Sequence, residues 1–287
     1  MEVTIRPAAP DDAEDCGRII YEAFKNIAER HNFRPDFPSI EAATQLAGGF
    51  IADPSVFGVV AESGGRVVGS NFLWEWDDIR AVGPITVDPG VQARGTGRRL
   101  MEAVIERGRA AAGVRLVQDS FNTASLSLYA SLGFDVREPL ALMEGTPRSA
   151  PPDGYEVRPM RDEDLDTVGD LSRRVHGFDR TGELKGLAPM LRPFVALREG
   201  RLAAYVSAPG FWPLNHAVAE SDEDMQALLS GAAAQTEQPL AFLLPTRQAA
   251  LFRWCLREGL RVVKPMTLMT TGEYSEPRGS YFPSVGY

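Results

Sequence analysis

The sequence predicts a mixed α/β chain built twice over, and three observations carry that reading. The two halves open alike, with Ile5-Arg6-Pro7 followed by Asp11-Asp12, and Val157-Arg158-Pro159 followed by Asp162-Glu163-Asp164. Each half next offers a hairpin: Val56 to Ala61 and Arg66 to Ser70 about Gly64-Gly65, then Phe194 to Leu197 and Arg201 to Val206 about Glu199-Gly200. The halves close in register, Leu128 to Met143 against Trp254 to Met269 at a constant spacing of 126 residues, with identical partners for Gly133, Val136, Pro139, Leu142 and Met143.

The elements of each half follow in one order. An alternating strand runs into proline, and the acidic residues after it suit the start of an amphipathic helix. The hairpin, a further strand, a helix, a strand, a second helix and a last strand complete the half. Such an order predicts two tandem domains, each a mixed, mostly antiparallel sheet flanked by helices. Between them, Pro147, Pro151, Pro152 and Gly154 with no apolar periodicity mark a linker. The expected division is therefore a first domain over 1–145, a linker over 146–154 and a second domain over 155–287.

Composition narrows the function. A chain of 287 residues with 44% hydrophobic side chains can build two cores. The net charge of −9 argues against nucleic acid as a partner, because phosphate neutralisation needs a basic surface. Cys16 and Cys255 are far apart and stand at no metal-ligand spacing, and no metal or flavin signature appears. The first residues carry no basic and apolar leader, and no apolar run reaches the ~20 residues that span a bilayer. A cytoplasmic protein with no membrane partner is expected.

The chemistry concentrates in one stretch. Ile85-Thr86-Val87 is a β-branched strand, Pro89-Gly90 turns the chain, and Gly95 and Gly97 flank the start of a helix that continues through Leu100, Met101, Val104 and Ile105. A glycine-rich turn opening a helix leaves several backbone N–H groups pointing one way, an anion site suited to a pyrophosphate. Arg94, Arg98 and Arg99 add positive charge at the same mouth. Further on, Asn122 follows a strand and opens a helix with Tyr129 in its middle and Gly133 as its C-terminal stop.

These residues resemble the GNAT superfamily of acyl-CoA-dependent N-acetyltransferases. Gln92-Ala93-Arg94-Gly95-Thr96-Gly97 is similar to that family's Q/R-x-x-G-x-G/A loop, preceded by Val87-Asp88-Pro89, and 122–134 is similar to its N-x-x-[AS]-x-x-[LF]-Y-x-x-x-G-F segment. The resemblance carries motifs over residues 3–143 and only a pattern over 155–270. It implies acetyl-CoA as cosubstrate, with backbone amides of Gln92, Ala93, Arg94, Gly95, Thr96, Gly97 and Arg98 on the pyrophosphate. It implies that Ile85, Thr86 and Val87 pair with the pantetheine arm as with an added strand, beside a V-shaped opening. Asn122 would steady the arm, and Tyr129 would protonate the leaving thiolate. The acceptor implied is an amine, on a small molecule or a peptide, attacking directly. The rival readings are an acyl-CoA-binding sensor or scaffold without turnover, and transfer of another acyl group or to a hydroxyl.

Other expectations follow. The family's usual base position is empty here, since Ala81-Val82-Gly83-Pro84 stands there; Glu75, Asp77, Asp78 and His31 are the remaining candidates, or water takes the proton. Helices over 21–50 should wall the acceptor side with Phe24, His31, Phe33, Phe37 and Phe50, and Trp74 and Trp76 should share one face of a strand. In the second half, Ala219 to Met225 should replace the phosphate loop, with Glu220, Asp222, Glu223 and Asp224 crowding like charges and Ser221 capping a helix. Cys255 and Gln248 stand where Tyr129 and Asn122 would, so this half is expected to have lost the site and to complete a monomeric pseudo-dimer or a homodimer. His176 and His216 read as surface or loop residues, and the aromatic closing segment should pack back at the domain junction.

Overall fold

The structure, a computed structural model, describes residues 3–91, 95–187 and 191–286. In chain order the first half runs β1 (Thr4–Pro7), α1 (Ala13–Arg30), α2 (Ile40–Ala52), β2 (Val56–Ser63), β3 (Arg66–Trp74), β4 (Ile79–Val82), β5 (Thr86–Val87), α3 (Thr96–Arg107), β6 (Gly113–Asp119), α4 (Thr123–Ser131) and β7 (Asp135–Gly145). The second half runs β8 (Tyr155–Pro159), α5 (Leu165–His176), α6 (Thr181–Gly186), β9 (Phe194–Arg198), β10 (Arg201–Val206), β11 (Ala217–Ala219), α7 (Asp222–Ala233), β12 (Leu240–Pro245), α8 (Ala249–Arg257), β13 (Arg261–Gly272) and β14 (Ser280–Phe282). The mixed α/β architecture with helix-flanked sheets is as the sequence predicts. Among the described residues no helix is long and apolar enough to cross a membrane.

Two compact units divide the chain: residues 1–116 with 121–134, and residues 117–120 with 135–287. In the first unit the strand order is β1-β2-β3-β4-β6, antiparallel except for the parallel pairing of β4 with β6. Helices α1 and α2 pack on one another, and Gly17 lets them approach, because a Cβ there would lie 2.3 Å from Thr44 Oγ1.

In the second unit, β14-β11-β10-β9-β8 form one five-stranded sheet, and the last residues of β6 run beside β13, β7 and β12. Strand β7 belongs to the first repeat by sequence, yet it lies between β12 and β13, pairing Leu243 with Leu142 and Met266 with Leu140. The exchange is reciprocal. Ser120 N–H donates to Pro265 O at 3.2 Å, and its counterpart Thr246 N–H donates to Pro139 O at 2.9 Å. The last strand of each repeat thus lies against the preceding strand of the other.

The repeat is visible down to single bonds. Arg6 grips Asp12 with two guanidinium bonds of 2.7 and 2.8 Å, and Asp12 also accepts from Ala9 N–H. Arg158 grips Asp164 at 2.7 and 2.9 Å, with Arg161 N–H in the third place. Both hairpins carry a bulge at the same point, opposite Ala61/Glu62 in one and on Leu202/Ala204 in the other. The main core of the second unit joins Phe194, Leu228, Phe242, Trp254 and Phe282, all buried.

Candidate active site

The site of the first unit assembles from three segments. Strand β5 pairs with β3 through Val87–Gly69 and Thr86–Ser70, and Ile85 leads into it. The ladder between β4 and β6 covers three residue pairs and ends at Ala81–Arg115. Beyond that point β3 is the partner of β5 among the described residues.

The turn after β5 is held by Asp88, whose carboxylate accepts from Gly90 N–H at 2.8 Å and whose carbonyl accepts from Val91 N–H at 3.0 Å. Gln92, Ala93 and Arg94 lie outside the described residues. Gly95 caps α3 in the left-handed region at φ 87°, which only glycine enters without strain. Arg99 donates the first intrahelical bond, to Gly95 O at 3.1 Å, so the N–H groups of the preceding turn point out of the helix start. Arg98 stays at this mouth with its guanidinium on Ser131 Oγ at 2.6 Å, whereas Arg99 turns away to the carbonyl of Val3.

Helix α4 stands beside α3. Asn122 caps α4 by accepting from Ser125 N–H at 3.2 Å through Oδ1, which leaves its NH₂ as the donor end. Tyr129 is buried in mid-helix, with Phe134 edge-on at 6.4 Å. The three segments meet at Gly97: a Cβ there would lie 3.4 Å from Leu128 of α4 and 3.9 Å from Val87 of β5.

The aromatic residues divide by role. Phe50 packs on Phe72 and Trp74 as core. Trp76 lies past the end of β3 rather than on it, and its ring still meets Trp74 at 5.0 Å. Phe24 meets Phe37 at 5.4 Å, Phe33 stacks on Phe121, the residue before Asn122, and His31 lies tilted against the same ring at 5.0 Å. Of the base candidates, Glu75 is held by Arg107 at 2.8 Å, and Asp78 gives its carbonyl to Ala112 N–H. His31 caps α1 with Nδ1 2.9 Å from Ile27 O.

The second half corrects several expectations. Residue Ala219 pairs with Ala204 as Val87 pairs with Gly69, and Glu220 N–H meets Ala203 O as Asp88 N–H meets Val68 O. The counterpart of the phosphate loop is therefore not a substituted loop but a missing one: α7 begins three residues after Ala219, and α3 nine after Val87. Two of the four carboxylates there are neutralised by arginines. Glu220 is held by Arg201 and Arg174, which keeps its carboxyl below the ordinary range, and Asp224 is held by Arg198 and Tyr155. Ser221 caps α7 by accepting from Asp224 N–H, as expected.

His176 and His216, expected at the surface, are both buried. His216 sits 3.3 Å from Glu183 and 3.3 Å from the Tyr205 hydroxyl, and burial with Arg180 nearby holds it well below the ordinary imidazole range. Spacing gave no signal, because Arg180, Glu183 and His216 converge only through the fold. The closing segment, expected at the domain junction, forms β14 inside the second unit.

Set beside known proteins, this geometry finds likenesses in sequence pattern and in fold. Residues 19–134 match the model of the acetyltransferase (GNAT) family. Likeness in fold to solved structures spans the whole chain. The chain is similar to a candidate acetyltransferase from Pyrococcus horikoshii at 18% identity, TM-score 0.76, covering 99% of this chain and 94% of that one. A GCN5-related N-acetyltransferase from Sphaerobacter thermophilus matches at 14% identity and TM-score 0.60, covering 97% and 98%. A tandem GNAT protein from the clavulanic acid biosynthesis pathway matches at 17% identity and TM-score 0.57, covering 96% and 100%. No curated protein sequence matches the chain.

Proposed function

We propose that the first half transfers an acetyl group from acetyl-CoA to an amine, and that the second half, over 155–287, no longer binds the cosubstrate. The observation that carries this reading is the meeting of strand β5, the Gly95-capped start of α3 and the Tyr129 helix at Gly97. Outward N–H groups and the positive helix end suit a pyrophosphate, and Arg98 adds charge. The edge of β5 left by the parting of β4 and β6 suits the amides of a pantetheine arm. Asn122, with Oδ1 engaged in its cap, offers its NH₂ to a carbonyl of that arm.

In the reaction the deprotonated amine nitrogen attacks the thioester carbonyl carbon. The N–C bond forms and the C–S bond breaks; the attacking nitrogen, positively charged after attack, gives one of its protons to water and keeps the other as the amide N–H, and the thiolate gains a proton. Tyr129 supplies that proton from a buried position that excludes bulk water. The test is calorimetric binding of acetyl-CoA to the wild type and to Gly95→Glu/Gly97→Glu, with coenzyme A release followed over a panel of amines. Binding lost in the variant, together with release for at least one amine, is expected. Binding that survives both glutamates would overturn the reading, since two carboxylates in the mouth repel a pyrophosphate.

A further inference from the structure

The second half carries a strand along the edge of β11. Its strand β11 is the register counterpart of Ile85-Thr86-Val87: Ala219 and Val218 pair with Ala204 and Tyr205, as Val87 and Thr86 pair with Gly69 and Ser70. In the first half the outer edge of this strand is the one assigned above to the pantetheine arm. In the second half β14 pairs along that edge, through Ala217–Phe282, Val218–Tyr281 and Ala219–Ser280.

Other fittings match position for position. Gln248, the counterpart of Asn122, clasps the backbone of Tyr281 at both ends, donating to its carbonyl at 2.7 Å and accepting from its N–H at 3.1 Å. Unlike Asn122 it does not cap its own helix; its side-chain amide is given wholly to the incoming strand. Ser280 binds Asp222 at the start of α7, where the phosphate end would lie. Gly279 passes so close that a Cβ would come 2.4 Å from Ala219 O. At the other end Phe282 stacks on Phe242 of β12 at 4.3 Å and shares a core with Cys255, the counterpart of Tyr129.

We propose that residues 279–282 are a built-in occupant of the second half's acyl-carrier cleft, a peptide strand standing where a pantetheine arm stands in the first half. The comparison rests on the reading of β5 given under the proposed function. It accounts for three features together: the short connection before α7, the redirected amide of Gln248, and the burial of Tyr281 and Phe282. The peptide supplies the amide ladder, so the cleft stays filled without any phosphate contact.

Amide hydrogen exchange on the full chain, with acetyl-CoA as the probe, tests this. Tyr281 is expected to exchange as slowly as Val218, and saturating acetyl-CoA to slow residues 95–99 while leaving Tyr281 unchanged at one equivalent per chain. Gln248→Ala, which removes two hydrogen bonds, should speed Tyr281 exchange about tenfold. Gly279→Ala, which forces the strand away from Ala219, should act in the same direction. Tyr281 exchanging at the rate of an unstructured peptide in the wild type would overturn the proposal. So would a second bound acetyl-CoA that speeds Tyr281 exchange. Failure of the first-half reading shows separately, as no slowing at 95–99 whatever Tyr281 does.

Discussion

Tyr129 is the residue on which the proposed chemistry turns. Tyr129→Phe keeps the ring and its packing and removes only the proton donor. It should lower kcat by about 10²-fold or more with acetyl-CoA affinity unchanged. Stopped-flow coenzyme A release beside calorimetry checks both numbers, and an unchanged kcat would move the proton source elsewhere. Two other residues test the frame. Gly17→Ala would push a methyl into the backbone of Thr44, whose Cα lies 2.4 Å from the Cβ position, and should cost about 1–3 kcal/mol in urea unfolding. In the second unit Lys264 and Asp119 form a buried pair at 2.7 Å. Asp119→Ala leaves the ammonium buried without its carboxylate and should cost about 3–5 kcal/mol, more than the joint replacement of both by apolar residues.

At the scale of elements, the Arg–Asp corner that opens each half governs the acid limit. The Arg6 guanidinium holds the Asp12 carboxyl below its ordinary range, and Arg158 does the same for Asp164. A folded-state value below the unfolded one means the unfolded chain takes up protons first as pH drops. The contribution of both corners is therefore complete above the unfolded value of about 4 and is lost as pH falls through the folded values. Thermal melts between pH 6 and 2 should show stability declining on the acid side. Asp12→Asn with Asp164→Asn should lower the plateau at pH 6 and flatten the decline; an unchanged slope would assign acid sensitivity to other carboxylates. Both corners were legible as a repeated Arg-Pro and acidic pair. Their partnership was not, because an Arg–Asp contact six residues apart depends on the turn between them.

At the scale of the molecule, the exchange of β7 and β13 makes neither repeat a closed structure. A fragment 1–145 would present β7 with neither of its partners, leaving Leu140 and Leu142 of a buried core in water. Expressed alone it should be unfolded or aggregated by circular dichroism and sedimentation, whereas co-expression with 146–287 should recover a folded complex. A soluble, cooperatively melting 1–145 would show that the exchange is dispensable.

The amino-acid sequence by itself determined which half carries the glycine-opened helix, the asparagine cap and the buried tyrosine. It also determined that the chain is written twice. Glycines at a turn, a cap residue before a helix and the periodicity of apolar side chains act within a few residues, so they are readable along the chain. Only the tertiary structure decided that the two halves trade their last strands, that α7 begins three residues after Ala219 where α3 begins nine after Val87, and that β14 pairs along β11. Strand partners are chosen by which edges remain open once the sheets form, and the burial of His216 by Glu183 and Tyr205 follows from that same assembly. Those choices are made between residues far apart in the chain, where spacing carries no signal.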